Sequence, residues 1–515
     1  MNEKNMTMSV TQAKALAVLG TGSDVGKSLV VAGICRLLAR RGVRVAPFKA
    51  QNMALNSFAT LDGGEIGRAQ ALQAQACGIE PTVDMSPILL KPESETRSQV
   101  IVKGKVYETL DAFAYFERKE KLFGIVRDCY ARLADQFECI VIEGAGSAAE
   151  INLRDRDIVN WPAVELADAS VVLVADIDRG GVFAQIIGTL DLLSPQERRR
   201  VCGVIVNKFR GDLRLFEDGV HFLESRTGLP VLGVVPFLND LRLDQEDSLD
   251  SIHSRSVQFK SDLTNLAVVL LPRMSNFTDF NALAAEKDVA IRFAASPEDL
   301  IGADVVILPG TKNTLEDLDY LVASGFPFAL ASHVERGGEL VGVCGGYQML
   351  GREIMDPKGL ERGGTSRGLG FLDVTTELDA PKICRQVRAD SLLHGMEHHA
   401  PVHGYEIHMG RTSRGAVHAC FQIEASDIRG SSARDHEGAA REDERVWGTS
   451  IHGLFDQAVF RRGWLNRVRE RKGLPPVLLR ESEVVTTRLW AELDRWADHL
   501  AQHVNMDMIY AEFEG

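Results

Sequence analysis

No apolar run in this 515-residue chain approaches the roughly 20 residues that a membrane-crossing helix needs, so a membrane partner is not expected. Basic residues are also in short supply. Lys and Arg number 58 against 72 Asp and Glu, a net charge of −14. Nucleic acid is thereby excluded as a main partner, because phosphate binding calls for a basic surface. The eight cysteines form no CxxC pair and no compact framework. That spacing suits a reducing compartment better than secretion or a zinc site, so a cytoplasmic location is expected. Residues 1–14 lack the apolar centre of a signal peptide and are expected to form a flexible tail. There is no internal repeat.

What is present is an alternation of buried strands and helices, repeated in two blocks. The length exceeds what one core accommodates, so two or three domains are expected. Ala15–Gly20, Val43–Phe48, Cys139–Ile142, Ser170–Ala175, Val201–Val206 and Val231–Val235 are short, continuously apolar runs. Such runs mark strands covered on both faces of a parallel sheet. Helical spacing follows at Gly26–Arg41, Glu65–Cys77, Asp111–Gln136, Val182–Leu193 and Leu213–Arg226. An acidic, Ser-rich stretch, 241–264, reads as a linker. A second block begins at Leu266–Leu271 and continues through Val289–Phe293, Val305–Leu308 and Leu340–Val343. Further strands are expected at Phe371–Thr375, Gly404–Met409, Ala416–Ile423 and Val446–Ser450. Ala425–Arg445 reads as a surface loop, and Ser482 to about Glu514 as an amphipathic helix. The fold class is α/β with two doubly wound domains, 15–240 and 265–515.

Gly20-Thr21-Gly-Ser-Asp-Val-Gly26-Lys27-Ser28 lies between a strand and a helix. It differs from the usual phosphate loop by one extra residue, five instead of four standing between Gly20 and Gly26. Its backbone N–H groups are expected to cradle phosphates, Lys27 to reach the β- and γ-phosphates, and Ser28 to ligate Mg²⁺. These assignments make ATP the expected cofactor, with Gly20, Thr21, Gly26, Lys27 and Ser28 as its cradle. Glu143 ends a strand at the edge where open α/β sheets gather ligand groups, and is a second candidate for Mg²⁺; a helix-capping role is the alternative. Asn207 is a candidate to read adenine, with a turn residue as the plain alternative. Asp176 and Asp178 fit either ion binding or helix capping.

The second block carries a nucleophile. Cys344 follows an apolar strand and precedes Gly345-Gly346 and a short helix. Such an elbow favours a thiolate beside free helical N–H groups. Gly310, after Val305–Leu308, and Gly345 are expected to supply an oxyanion hole. His452, in Ser450-Ile-His452-Gly-Leu-Phe455, is the expected base, with His408 a less favoured choice. His394, His398, His399 and His403 fit no standard metal spacing and read as a polar loop.

The nine-residue loop Gly20–Ser28 resembles that of dethiobiotin synthetase and its relatives, which activate carboxylates with ATP. The peptides around Gln51-Asn52, Glu65 to Gln70, Glu143 to Asp157, Asp176 to Gly181 and Asn207 to Asp212 resemble the cobyric acid synthase family, the CobQ-type glutamine-dependent amidotransferases. The resemblance covers nearly the whole chain. It implies a P-loop NTPase-like domain followed by a class I glutaminase-like domain. In such enzymes a thiolate takes the carboxamide of glutamine and releases ammonia through a thioester. The usual class I pattern has a glutamate two residues after the histidine; here Leu454 stands there, as in the CobQ branch, so either another group orients His452 or a Cys–His dyad suffices.

The implied substrates are glutamine, ATP and a corrinoid: adenosylcobyrinic acid a,c-diamide amidated at b, d, e and g to adenosylcobyric acid, in cobalamin biosynthesis. The peptides around Gln51, Arg68, Arg154 and Asp178 carry that implication, with a wide cleft between the domains as the expected corrinoid site. The competing readings are cobyrinic acid a,c-diamide synthase, a partitioning-type P-loop ATPase and a non-catalytic glutaminase-like scaffold. A homo-oligomer is possible on this reading.

Overall fold

The computed structural model describes residues 13–94, 96–239, 241–243, 257–396, 401–424, 435–479 and 485–514. Six parallel strands build the first sheet, in the order Val231–Pro236, Val201–Phe209, Ser170–Asp176, Lys14–Gly20, Cys139–Glu143 and Val45–Phe48. Helices cover both faces, which is why its central strands read as unbroken Val, Ile and Leu. The three middle strands end side by side at Gly20, Asp176 and Glu143. Ligand groups therefore collect on one edge.

The second sheet repeats the design with Val289–Ala294, Thr264–Val269, Val305–Leu308, Glu339–Val343 and Val446–Thr449 in parallel, closed by the antiparallel strand Ala439–Ala440. Cys344 follows one of its central strands, and Pro309–Thr311 follows the strand beside it. An antiparallel sheet built on Ile383–Ser391 and Pro401–His408 leans over this edge and pairs with Ile451–His452.

The structure departs from the sequence expectations in several places. Between Gly78 and Asp111, where no element is expected, Ile88–Pro92, Arg97–Val102 and Lys105–Asp111 form a meander joined by Gln51–Met53. The stretch from Glu65 opens as a short strand, Glu65–Gly67, with the helix confined to Arg68–Cys77. The expected loop 425–445 is ordered strand over Asp435–Glu437 and Ala439–Ala440, because buried Glu437 accepts hydrogen bonds from the Thr449 hydroxyl and the Ser450 N–H. Residues 425–434 lie outside the described residues.

The last departure concerns the C-terminal helices, Val485–His503 and Met506–Glu514, which the sequence reading assigns to the second domain. They pack instead on the first. Leu493, Trp496, Ala497 and Leu500 close over Lys27–Arg40 in one buried cluster, and Arg36 pairs with Asp494 at 2.7 Å. The first helix is apolar on the side away from its sheet as well, and an amphipathic partner covers that stripe.

Candidate active sites

Cys344 sits at φ 51°, ψ −111°, a left-handed conformation costly for a residue with a Cβ. It is fixed by its own N–H donating to Thr449 O at 2.7 Å and by the helix that starts at Gly345. Only glycine fits two residues further on: a Cβ on Gly346 would lie 2.1 Å from Leu308 O. The thiol is thereby held at the sheet edge with the Gly345 N–H beside it, at a helix position that has no intrahelical acceptor. Gly310 lies across from this turn, so near the imidazole that a Cβ there would meet His452 Cε1 at 3.0 Å. Cys344, Gly345, Thr311 and Gln348 line one small cavity of about 40 Å³.

His452 is fully buried, and its Nδ1 lies 2.7 Å from Asp279 Oδ2. The other carboxylate oxygen accepts from Gly453 N at 2.9 Å. Asn276 Nδ2 lies 3.2 Å from His452 Nε2, and the Tyr405 ring stacks on the imidazole at 5.4 Å. Burial by itself would lower the pKa of this ring. The charges of Asp279 and the Cys344 sulfur outweigh that effect, and with their hydrogen bonds they raise it to about 10. His408 also lines the small cavity, but burial lowers its pKa and its nearest carboxylate, Glu406, is 4.0 Å away. The geometry brings Cys344 together with His452. Sequence reasoning missed Asp279: it stands 173 positions upstream, in the turn Phe277–Phe280, and nothing in its local sequence marks it.

In the first domain, Lys27 Nζ donates to Gly22 O and Gly146 O, both at 2.9 Å, bent back across its own loop. Gly26 has φ 96°, the turn that aims the following N–H groups at the loop centre. Glu143 is buried and accepts from Ser28 Oγ at 2.9 Å, Lys49 Nζ at 2.8 Å, Gln70 Nε2 at 3.2 Å and Gln73 Nε2. Burial pushes its pKa up, but the Lys49 ammonium and these donors together hold it below the usual carboxylate value. Asn207 Nδ2 donates to Val25 O at 2.9 Å and so buttresses the loop. Asp176 is held by Lys208 at 3.0 Å and by the N–H of Asp178, while Asp178 pairs with Arg210 at 2.7 Å.

A cavity of about 1330 Å³ opens from this loop. Gln51 and Arg154 line it; Arg68 and Asp178 do not. The cleft expected between the domains is thus replaced by one inside the first domain, roofed by the meander and touched by Trp496 of the C-terminal helix. The meander supplies this roof because its strands alternate side chains between two faces. Of the four loop histidines, His398 and His399 lie outside the described residues. His394 joins His418 around the Glu444 carboxylate, whose other partner is Arg467 at 2.7 Å.

Among the described residues no helix is long and apolar enough to cross a membrane. Residues 16–249 match the CobQ/CobB/MinD/ParA nucleotide binding domain, and residues 265–460 match the CobB/CobQ-like glutamine amidotransferase domain. The cobyric acid synthase of Vibrio campbellii is 46% identical over 96% of this chain and 100% of its own length. That of Sorangium cellulosum is 50% identical over 90% and 92%, and that of Klebsiella pneumoniae strain 342 is 48% identical over 96% and 97%. With both centres present and similarity along nearly its full length, this chain belongs to the cobyric acid synthase family of ATP-using, glutamine-hydrolysing amide ligases.

Proposed function

We propose that this protein amidates the b, d, e and g carboxylates of adenosylcobyrinic acid a,c-diamide, giving adenosylcobyric acid in cobalamin biosynthesis. The observation that carries the reading is the large cavity at the phosphate loop in a chain that also holds a Cys344–His452–Asp279 centre. At about 1330 Å³ it exceeds the ~300–1000 Å³ of ordinary ligand pockets and accommodates a nucleotide beside a large second substrate.

At the glutaminase centre the Cys344 thiolate attacks the carboxamide carbon of glutamine, and Gly310 and Gly345 N–H groups receive the oxyanion. His452 gives its proton to the departing nitrogen, which leaves as ammonia. The same imidazole then takes a proton from water as water opens the thioester to glutamate. Asp279 keeps the ring oriented and compensates its positive charge.

In the ligase cavity Lys27 releases Gly22 O and Gly146 O to meet the phosphates, and the carboxylate oxygen of the substrate takes the γ-phosphoryl group, leaving ADP. Ammonia attacks the resulting acyl phosphate at carbon; phosphate departs and one proton is lost. Ser28 and Glu143 offer hard oxygen donors side by side, the donor set Mg²⁺ prefers, and so would hold that ion. Direct ligation by Glu143 would displace one of its present donors; ligation through water would displace none. Bound Mg²⁺ would neutralise charge on the transferring phosphates.

Incubation of the protein with ATP, glutamine and each corrinoid, followed by mass spectrometry, tests the reading. Four successive amidations of the a,c-diamide support it. Two amidations of cobyrinic acid alone would assign the a,c-diamide synthase reaction instead.

A further inference from the structure

His418 and Glu444 are fixed at one corner of the second domain by a shared strand edge. His418 exchanges two backbone hydrogen bonds with Ala440, its N–H donating to Ala440 O at 3.2 Å and its O accepting from Ala440 N at 2.8 Å. Glu444 follows Ala440 in a tight turn, its N–H donating to Arg441 O at 2.9 Å. His394, just beyond Ile383–Ser391, reaches the same corner from another direction. Its backbone N–H donates to both oxygens of the Glu444 carboxylate, at 2.9 and 3.1 Å. Three distant segments thus meet, which no local spacing of histidines reveals.

The side chains converge as well. His394 Nδ1 lies 2.8 Å and His418 Nε2 3.4 Å from Glu444 Oε1, and all three atoms fall within 4.8 Å of one another. A tetrahedral ion with bonds of about 2.0–2.1 Å holds its ligand atoms about 3.3 Å apart, so small side-chain rotations admit one here. Two imidazole nitrogens and one carboxylate oxygen suit Zn²⁺ and its first-row neighbours, whereas Mg²⁺ prefers oxygen alone. A further layer orients the carboxylate. Arg467 Nη1 donates to Glu444 Oε2 at 2.7 Å, leaving Oε1 to face the histidines, and Arg467 Nη2 reaches Glu339 at 3.2 Å. The guanidinium charge is thereby shared between two carboxylates, and the metal-facing oxygen is held in place as ligand carboxylates usually are. The Glu444 side chain is 4% exposed and that of His394 81%, so the cluster is anchored below and open to water above.

We propose that His394, His418 and Glu444 bind one Zn²⁺ ion, with water completing its coordination. None of the three lines either reaction cavity, so the ion serves the fold and not the chemistry. It ties the end of Ile383–Ser391 to the turn that feeds Val446–Thr449, the strand that leads to His452. An ion bound only by the folded chain stabilises it by mass action. This inference does not depend on the amide-ligase reading.

The experiment titrates the full-length protein, first stripped with a chelator, with zinc sulfate. Binding is followed by calorimetry and the thermal midpoint is recorded with and without the ion. Thiols and the phosphate loop also attract Zn²⁺, so variants locate the site. In His394→Ala and in His418→Ala the affinity should fall by about 100-fold, the upper end of what even a supporting residue costs a metal centre, and the gain in thermal midpoint should vanish. His403→Ala, which removes an exposed histidine outside the cluster, should behave as wild type. His394 is itself exposed, so its loss leaves the fold intact. Unchanged affinity and thermal gain in both cluster variants would overturn the proposal. So would an equal weakening in His403→Ala, or wild-type protein that takes up no more Zn²⁺ than His394→Ala does.

Discussion

Asp279 Oδ2 lies 2.7 Å from His452 Nδ1, and its second oxygen accepts the N–H of Gly453. The usual class I pattern has a glutamate two residues after the histidine, and here Asp279 is the carboxylate that meets the ring. Leu454, at that position, is fully buried in the core of the second domain, so a charged side chain has no place there. A turn at the start of the domain supplies the acid instead, and its charge raises the pKa of the imidazole beside Cys344.

Neutralising this carboxylate should leave the thiol in place but misdirect the base. Asp279→Asn should reduce glutaminase turnover by up to about 10⁴-fold, the scale seen when a triad's orienting acid is replaced by its amide. The alkaline limb of the activity profile should move to lower pH, because the largest influence raising the His452 pKa is gone. Its raised pKa also contributes stability, complete below its ordinary value of ~6.5 and lost as pH climbs through about 10. The variant should show a flatter stability profile across that window. Glutamate release and thermal unfolding, each measured against pH, check both statements.

On the proposed reading Cys344 serves only to free ammonia. Cys344→Ala should abolish glutamine-dependent amidation and leave synthesis from ammonium salts intact, with His452→Ala behaving alike apart from residual activity at high pH, where more thiol ionises unaided. Parallel assays with the two nitrogen sources decide it. Equal loss of both would assign Cys344 to the fold or the ligase site.

Lys27→Ala should stop amidation from either nitrogen source, since phosphoryl transfer depends on charge neutralisation at the loop. Glutamine hydrolysis at Cys344 should persist. Product analysis with ammonium, and glutamate release without corrinoid, separate the two effects.

Trp496 donates its indole N–H to Leu29 O and packs over Gly33 of the first helix. Trp496→Ala should destabilise the nucleotide-binding half by about 3–5 kcal/mol, the usual cost of emptying a buried aromatic site. Denaturant unfolding followed by probes placed in each half should show that half lose stability before the glutaminase half.

Both blocks of strands, the phosphate loop and the Cys344 elbow were legible in the sequence because each is a local signal. Unbroken apolar runs mean strands buried on both faces, and a glycine-flanked thiol or lysine after such a strand points to a turn that presents it. The base was legible as a candidate through its position at a strand end. The meander 88–111 escaped this reading because its alternation serves two cavities: Leu90 and Val100 are buried beside Lys91 and Gln99, so no single face is uniformly apolar or polar.

The sequence by itself determined the chemistry available to this protein: a thiol, a histidine and a phosphate loop, each on an element whose pattern is written within about ten residues. Tertiary structure alone decided which groups meet. Asp279 and His452, Lys91 and Glu65, and Lys312 and Glu93 are brought together only when the domains close on one another and on themselves. It likewise decided that the last helices return to the first domain, where Trp496 and Leu500 find an uncovered apolar stripe. Such pairings depend on packing between distant segments, and spacing along the chain carries no record of them.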